Sequence, residues 1–131
     1  RLDANLAIID KRRPAPNVAQ VFNVIGEVEG RTCVLFDDMV DTAGTLALSA
    51  EALRSRGATR ILAAATHPVL SGKAIERINA SPIERLIVSN TIPLNDISRG
   101  CRKIDTISVA EIFGEAIRRI HDGNSVSSLF A

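Results

Sequence analysis

Val34-Leu35-Phe36-Asp37-Asp38-Met39-Val40-Asp41-Thr42-Ala43-Gly44-Thr45 is the stretch on which the reading of this chain turns. Val34, Leu35 and Phe36 read as a buried strand, and two adjacent carboxylates stand at its end. A short loop of small and hydroxyl residues follows, and then a helical pattern. A strand that runs through such a loop into a helix start makes an anion site. Its backbone N–H groups converge, and the helix N-terminus carries partial positive charge. Thr42 and Thr45 add hydroxyl donors, and Gly44 lets the backbone approach a ligand closely. Asp37 and Asp38 cannot bind that anion. They can accept hydrogen bonds from vicinal sugar hydroxyls or hold a divalent cation. Phosphate beside hydroxyls or metal is the arrangement a ribose 5-phosphate needs.

The flanking sequence alternates strand and helix signals, which predicts an α/β fold. Leu6–Ile9 is an apolar run that reads as a buried strand. It ends in Asp10-Lys11-Arg12-Arg13-Pro14, and Ala15–Gln20 reads as a mobile loop. Val21–Val28 and Arg31–Phe36 read as two strands joined at Glu29-Gly30, a hairpin that delivers the acidic pair to the sheet's carboxyl edge. Thr45–Arg56 has the spacing of a helix, with Gly57 as its C-terminal cap.

Further along, Arg60–Thr66, Leu86–Asn90 and Ile104–Ile107 read as strands, and a helix is expected from Ser71 to about Asn79. His67 ends one strand and reads as a loop histidine that shapes the site. Thr91-Ile92-Pro93 reads as a Pro-terminated strand end. Ser108 and Glu111 have the spacing of a capping box for a last helix through His121. Val109, Ile112, Phe113, Ala116, Ile117 and Ile120 form its inward face. Arg118, Arg119 and His121 suit the negative end of that helix.

Composition sets the bounds. The 131 residues can bury one real core, and 46% hydrophobic with 24% charged residues is ordinary for a globular protein. A net charge of +1 and the absence of Trp and Tyr give no support for a nucleic-acid surface. No apolar run is long enough to span a bilayer, and no signal-peptide pattern is present. Cys33 and Cys101 stand far apart without metal-ligand spacing and read as buried reduced thiols of a cytoplasmic protein.

Several of these motifs together resemble ribose-phosphate pyrophosphokinase, the synthetase of phosphoribosyl pyrophosphate (PRPP). Asp37 to Thr45 resembles the PRPP loop of type I phosphoribosyltransferase folds. Asp10-Lys11-Arg12-Arg13-Pro14 resembles the synthetases' catalytic flexible loop, and Thr91-Ile92-Pro93 and the Ser125-Val126-Ser127-Ser128-Leu129-Phe130 tail resemble that family too. The resemblance runs from about Leu6 to Phe130. It implies a Rossmann-like type I phosphoribosyltransferase fold, a mostly parallel sheet flanked by helices with a hairpin and flexible loop. Residues 1–131 would form most of the C-terminal domain of a two-domain enzyme, with the N-terminal half absent.

By the same resemblance, Lys11 and Arg13 are catalytic, stabilising the diphosphoryl group that passes from ATP to ribose 5-phosphate. Arg13, Asp37, Asp38, Asp41, Thr42, Ala43, Gly44 and Thr45 bind ribose 5-phosphate. Ser125 and Ser127 bind an allosteric phosphate or nucleotide. Magnesium is the implied cofactor, with protein ligands mainly in the absent half and no metal ligand assigned here. A homohexamer is the implied assembly, and the isolated piece is expected to be inactive. Two other readings stand beside this one. A phosphoribosyltransferase that consumes PRPP lacks the Lys11–Pro14 loop and the tail. A non-catalytic synthetase-associated subunit tends to have altered catalytic residues, whereas Lys11, Arg13 and the Asp pair are intact.

Overall fold

The computed structural model describes residues 4–12 and 21–130. Its elements are β1 (Ile8–Arg12), β2 (Val21–Ile25), β3 (Thr32–Val40), α1 (Gly44–Ser55), β4 (Arg60–Pro68), α2 (Ala74–Ala80), β5 (Arg85–Ser89), α3 (Asp96–Arg99), β6 (Ile104–Ile107) and α4 (Ala110–His121). A 3-10 turn, Ser127–Leu129, follows. β3, β4, β5 and β6 form a parallel sheet in chain order, while β1 and β2 form a separate antiparallel pair. The fold is therefore α/β with a mostly parallel sheet, as the alternating pattern predicts.

The sheet's core lies under α1 and α2. β4 turns Ile61, Ala63 and Ala65 to one face, and β5 adds Leu86 and Val88. Leu46, Ala50 and Leu53 of α1 and Ala74 and Ile78 of α2 close over them. Ile61, Ile78, Ile83, Leu86 and Val88 are fully buried, each stabilising the fold by about 2 kcal/mol relative to exposure. The alanines of β4 let α1 and the sheet approach closely. α1 ends at Ser55, one residue before the expected Arg56, and Gly57 follows at φ +87°, a conformation that favours glycine.

The hairpin is a correction. β2 pairs with β1, from Ile8 opposite Ile25 to Arg12 opposite Val21, and β3 runs parallel to β4. The Glu29-Gly30 turn does form, with Gly30 at φ +68° and Arg31 N–H donating to the Val28 carbonyl at 3.1 Å. It is stitched, however, to the connection after α1. Gly30 N–H donates to the Gly57 carbonyl, and Thr59 N–H to the Arg31 carbonyl, both at 2.9 Å. Those bonds launch β3 alongside β4 instead of folding it back on β2.

α4 differs from expectation in two ways. The helix starts one residue beyond Val109, so the Ser108–Glu111 box does not form. Asn90 replaces it, with its side-chain oxygen accepting from Val109 N–H at 2.9 Å while Ser108 Oγ accepts from Ala110 N–H at 3.2 Å. The apolar stripe is present but does not face inward. Ile112, Phe113, Ile117 and Ile120 are each more than half exposed, and α4 buries none of its residues. Periodicity shows that a helix has an apolar face, not what covers it. α3 was not anticipated. It is a single turn capped by Asn95, whose side chain accepts from Ser98 N–H at 2.9 Å.

Both cysteines are free, with Cys101 buried and Cys33 half-buried. Burial pushes the Cys33 thiol above its ordinary range. Among the described residues, no helix is long and apolar enough to cross a membrane.

Candidate functional site

The site is built where β3 hands over to α1. β3 is longer than the sequence suggests and reaches Val40, so the acidic pair lies inside the strand, with Asp37 opposite Ala65. Successive strand residues point to opposite faces. Asp37 therefore shares a side with Cys33 and Leu35, and Asp38 shares a side with Val34 and Phe36. Asp37 accepts from the Asp38 N–H at 3.0 Å.

Asp41, Thr42 and Ala43 then turn the chain into α1. Ala43 is the helix's N-cap, with left-handed φ 57° and ψ 11°, and no side chain caps the helix. The left-handed conformation costs an L-residue roughly 1–2 kcal/mol. Turns of mixed right- and left-handed residues are a backbone arrangement that can form an anion-binding concavity. The first N–H groups of α1 have no intrahelical acceptor and carry the positive end of the helix dipole.

A cavity of about 210 Å³ opens there, lined by Asp37, Met39, Val40 and residues 41–46. Asp37, Asp41, Thr42, Ala43, Gly44 and Thr45 are thus brought together. Asp38 is not on that lining. A larger cleft, about 750 Å³, runs from Leu6 and Ala7 along β3 and reaches Asp37 and Thr45.

Ser125 and Ser127 are not on the lining of the smaller cavity. Lys11 lies in β1, opposite Phe22. Arg13 and the loop expected at Ala15–Gln20 lie outside the described residues. Ser125 and Ser127 are exposed in the tail. Arg119 of α4 holds that tail, donating to the Ser125 carbonyl at 3.0 Å and to Ser128 Oγ. Among the described residues, no group of three or more His, Cys, Asp or Glu side chains forms a metal cluster.

The neighbouring strand end is a hydroxyl network. His67 Nδ1 lies 3.0 Å from Thr91 Oγ1, and Thr91 Oγ1 donates to the Thr66 carbonyl at 3.0 Å. Ser89 Oγ donates to the same carbonyl at 2.6 Å. His67 and the Thr91 turn therefore shape the carboxyl edge beside the loop.

Sequence reasoning missed the segment that holds the loop from outside. Leu70 N–H donates to the Val40 carbonyl and Ser71 N–H to the Asp41 carbonyl, both at 3.0 Å. Ser71 Oγ donates to the Asp41 carboxylate. The Arg77 guanidinium of α2 donates to the Thr42 carbonyl at 2.8 Å. The partners are about thirty residues apart or more, so no local pattern announces them.

Comparison with known proteins places the chain among similar sequences and folds. The sequence model of the phosphoribosyl synthetase-associated domain matches residues 6–131. The chain is 61% identical over 128 residues to a ribose-phosphate pyrophosphokinase of Xylella fastidiosa, covering 98% of this chain and 40% of that protein. It is 58% identical over 131 residues to one from Bordetella pertussis, covering all of this chain and 42% of that protein. A crystal structure of phosphoribosylpyrophosphate synthetase from Mycobacterium smegmatis superposes with a TM-score of 0.80 at 36% identity, covering 90% of this chain and 37% of that one. The chain spans about two fifths of the length of the curated relatives it matches.

Proposed function

Because the chain belongs to the phosphoribosyl synthetase-associated domain family, we propose that it carries the sugar-phosphate site of an enzyme making PRPP and AMP from ATP and ribose 5-phosphate. The observation that carries this reading is the uncapped start of α1, entered through left-handed Ala43, in one cavity with the Asp37 carboxylate. An anion binder and a hydroxyl acceptor then stand at two ends of one small space.

In this reading the 5-phosphate sits on the N–H groups of residues 42–45, with the Thr42 and Thr45 hydroxyls as further donors. Asp37 accepts from the ribose hydroxyls and turns C1 away from the loop. Asp38, on the other side of β3, serves the sugar only from the strand's edge. Asp41 acts mainly through Ser71. The C1 oxygen bonds to the β-phosphorus of ATP as the α–β bridge bond breaks. AMP leaves with the bridging oxygen, and the C1 proton passes to solvent. Lys11 and Arg13 neutralise charge on the transferring group, chemistry that rests on positioning and electrostatics.

Magnesium fits this site only as a largely hydrated ion. It is commonly held by one or two carboxylates plus substrate phosphates, and Asp37 is the carboxylate on the cavity lining that would serve, with Asp41 already engaged by Ser71. When bound, it would offset phosphate charge. The reading extends to Ser125 and Ser127 as an allosteric anion site, to a homohexamer and to a cytoplasmic enzyme, each supported by family membership alone.

Calorimetric titration of ribose 5-phosphate into this chain, with and without magnesium, tests the assignment. Saturable binding is expected, weakened about tenfold or more in Asp37→Ala, the scale of a lost charge-assisted hydrogen bond. Binding unaffected by Asp37→Ala removes the sugar from this loop. No binding to the folded chain means that these residues do not form the site by themselves.

A further inference from the structure

We propose that Arg77 is a positioning residue for the phosphate loop, an inference that rests on the sugar-phosphate reading for its ligand but not for its geometry. Three successive carbonyls at the end of β3, those of Val40, Asp41 and Thr42, are taken by donors from one segment, residues 70–77. Leu70 and Ser71 use backbone N–H groups. Of these three donors, Arg77 takes its carbonyl with a side chain, and that side chain carries a charge.

The order of the bonds gives the grip its meaning. A carbonyl turned into the phosphate cavity would repel an anion. Each carbonyl held on the α2 side is kept away from that cavity, and Thr42 is the last before the left-handed Ala43. The Arg77 guanidinium also stands beside the following residue. A Cβ built on Gly44 would lie 3.5 Å from its Nη1 and 3.9 Å from its Cζ. One guanidinium therefore fixes the carbonyl on one side of Ala43 and backs the glycine on the other. A planar, permanently charged fork suits such a double role better than an ammonium.

Arg77 contributes little else to the fold. It is exposed on α2, so its removal should leave the core intact. Ser71 is less suited to a test, because its backbone N–H would keep its bond to Asp41 in any variant.

The experiment compares the wild-type chain with Arg77→Ala and Arg77→Lys. Amide hydrogen exchange of residues 43–48 is followed without ligand, and ribose 5-phosphate affinity by calorimetry. Melting temperature controls for folding. Arg77→Ala should exchange these amides several-fold faster than wild type while the C-terminal half of α1 is unchanged. It should bind ribose 5-phosphate about tenfold more weakly at nearly the same melting temperature. Arg77→Lys should recover only part of both effects.

Unchanged exchange in Arg77→Ala overturns the proposal, whatever happens to affinity. So does full recovery by Arg77→Lys, since charge alone would then suffice. If the loop loosens in Arg77→Ala but wild type binds no ribose 5-phosphate, the sugar-phosphate reading fails and the positioning role stands.

Discussion

The two faces of the parallel sheet are unequal. One is covered by α1 and α2 and holds the fully buried residues. The other shows Val34, Phe36 and Ile87 to solvent, and α4 adds a second bare apolar surface beyond β6. Parallel sheets are usually covered on both faces. The local pattern is equally apolar in both regions, so hydrophobic patterning and burial are separate facts here. The covered face supplies the folding energy. It also anchors both grips on the loop of residues 41–43, because α1 begins at the loop and α2 reaches back to it.

That inequality can be broken most directly by truncation. Leu86→Ala, under α1 and α2, should lose about 2–5 kcal/mol, the range for a buried leucine that leaves a cavity. Phe36→Ala, 68% exposed on the other face, should lose less than about 0.5 kcal/mol despite the larger side chain. Urea denaturation of this chain measures both. Comparable losses would mean that the second face is covered in solution and that the asymmetry is not a property of the folded chain.

A smaller effect sharpens the contrast by asking what fixes α2. Its C-terminal carbonyls are not left to water. Lys103 Nζ donates to the carbonyls of Ile78 and Asn79, both at 3.1 Å, and of Ser81 at 2.9 Å. A cation at a helix C-terminus also suits the dipole. Lys103→Met keeps the apolar stem and removes the donors, and should cost roughly 1.5–3 kcal/mol. A loss below about 0.5 kcal/mol would show that water replaces the ammonium freely.

The sequence made the elements legible where the signal is local. Ile104–Ile107 is found as predicted, and α1, β4 and β5 are displaced only at their ends. Strand and helix periods need only neighbouring residues. Pairing was less legible. Nothing in Val21–Ile25 says that its partner precedes it, and the Glu29-Gly30 turn looks like a hairpin until Gly57 and Thr59 are seen to hold it. The loop Asp41–Thr45 was legible as a turn from strand into helix because small and hydroxyl residues follow an apolar run there. The division between Asp37 and Asp38 was hidden because two adjacent carboxylates look like a strand's end, whereas β3 continues to Val40 and parity separates them. Arg77 was not legible at all, since its role exists only once α2 lies against the loop.

The least effect is expected on the bare side, at the one charged cluster that stiffens α4. Arg118 and Arg119 both bond the Glu115 carboxylate, at 2.8 and 2.7 Å. Hydrogen bonds from Arg118 and then Arg119 lower the Glu115 pKa from an ordinary 4.5 to about 2. A depressed carboxylate pKa stabilises the fold above the ordinary value, and that contribution is lost as pH falls from about 4.5 toward 2. Because α4 is exposed, the pairs are screened and the effect is small. Acid titration followed by helical circular dichroism should show a slight loss in that window that Glu115→Gln abolishes. The same variant should leave Leu86→Ala as damaging as before, since α4 shares no buried residue with that core. A large acid loss through Glu115 would instead tie α4 to the core and remove the distinction between the two sides.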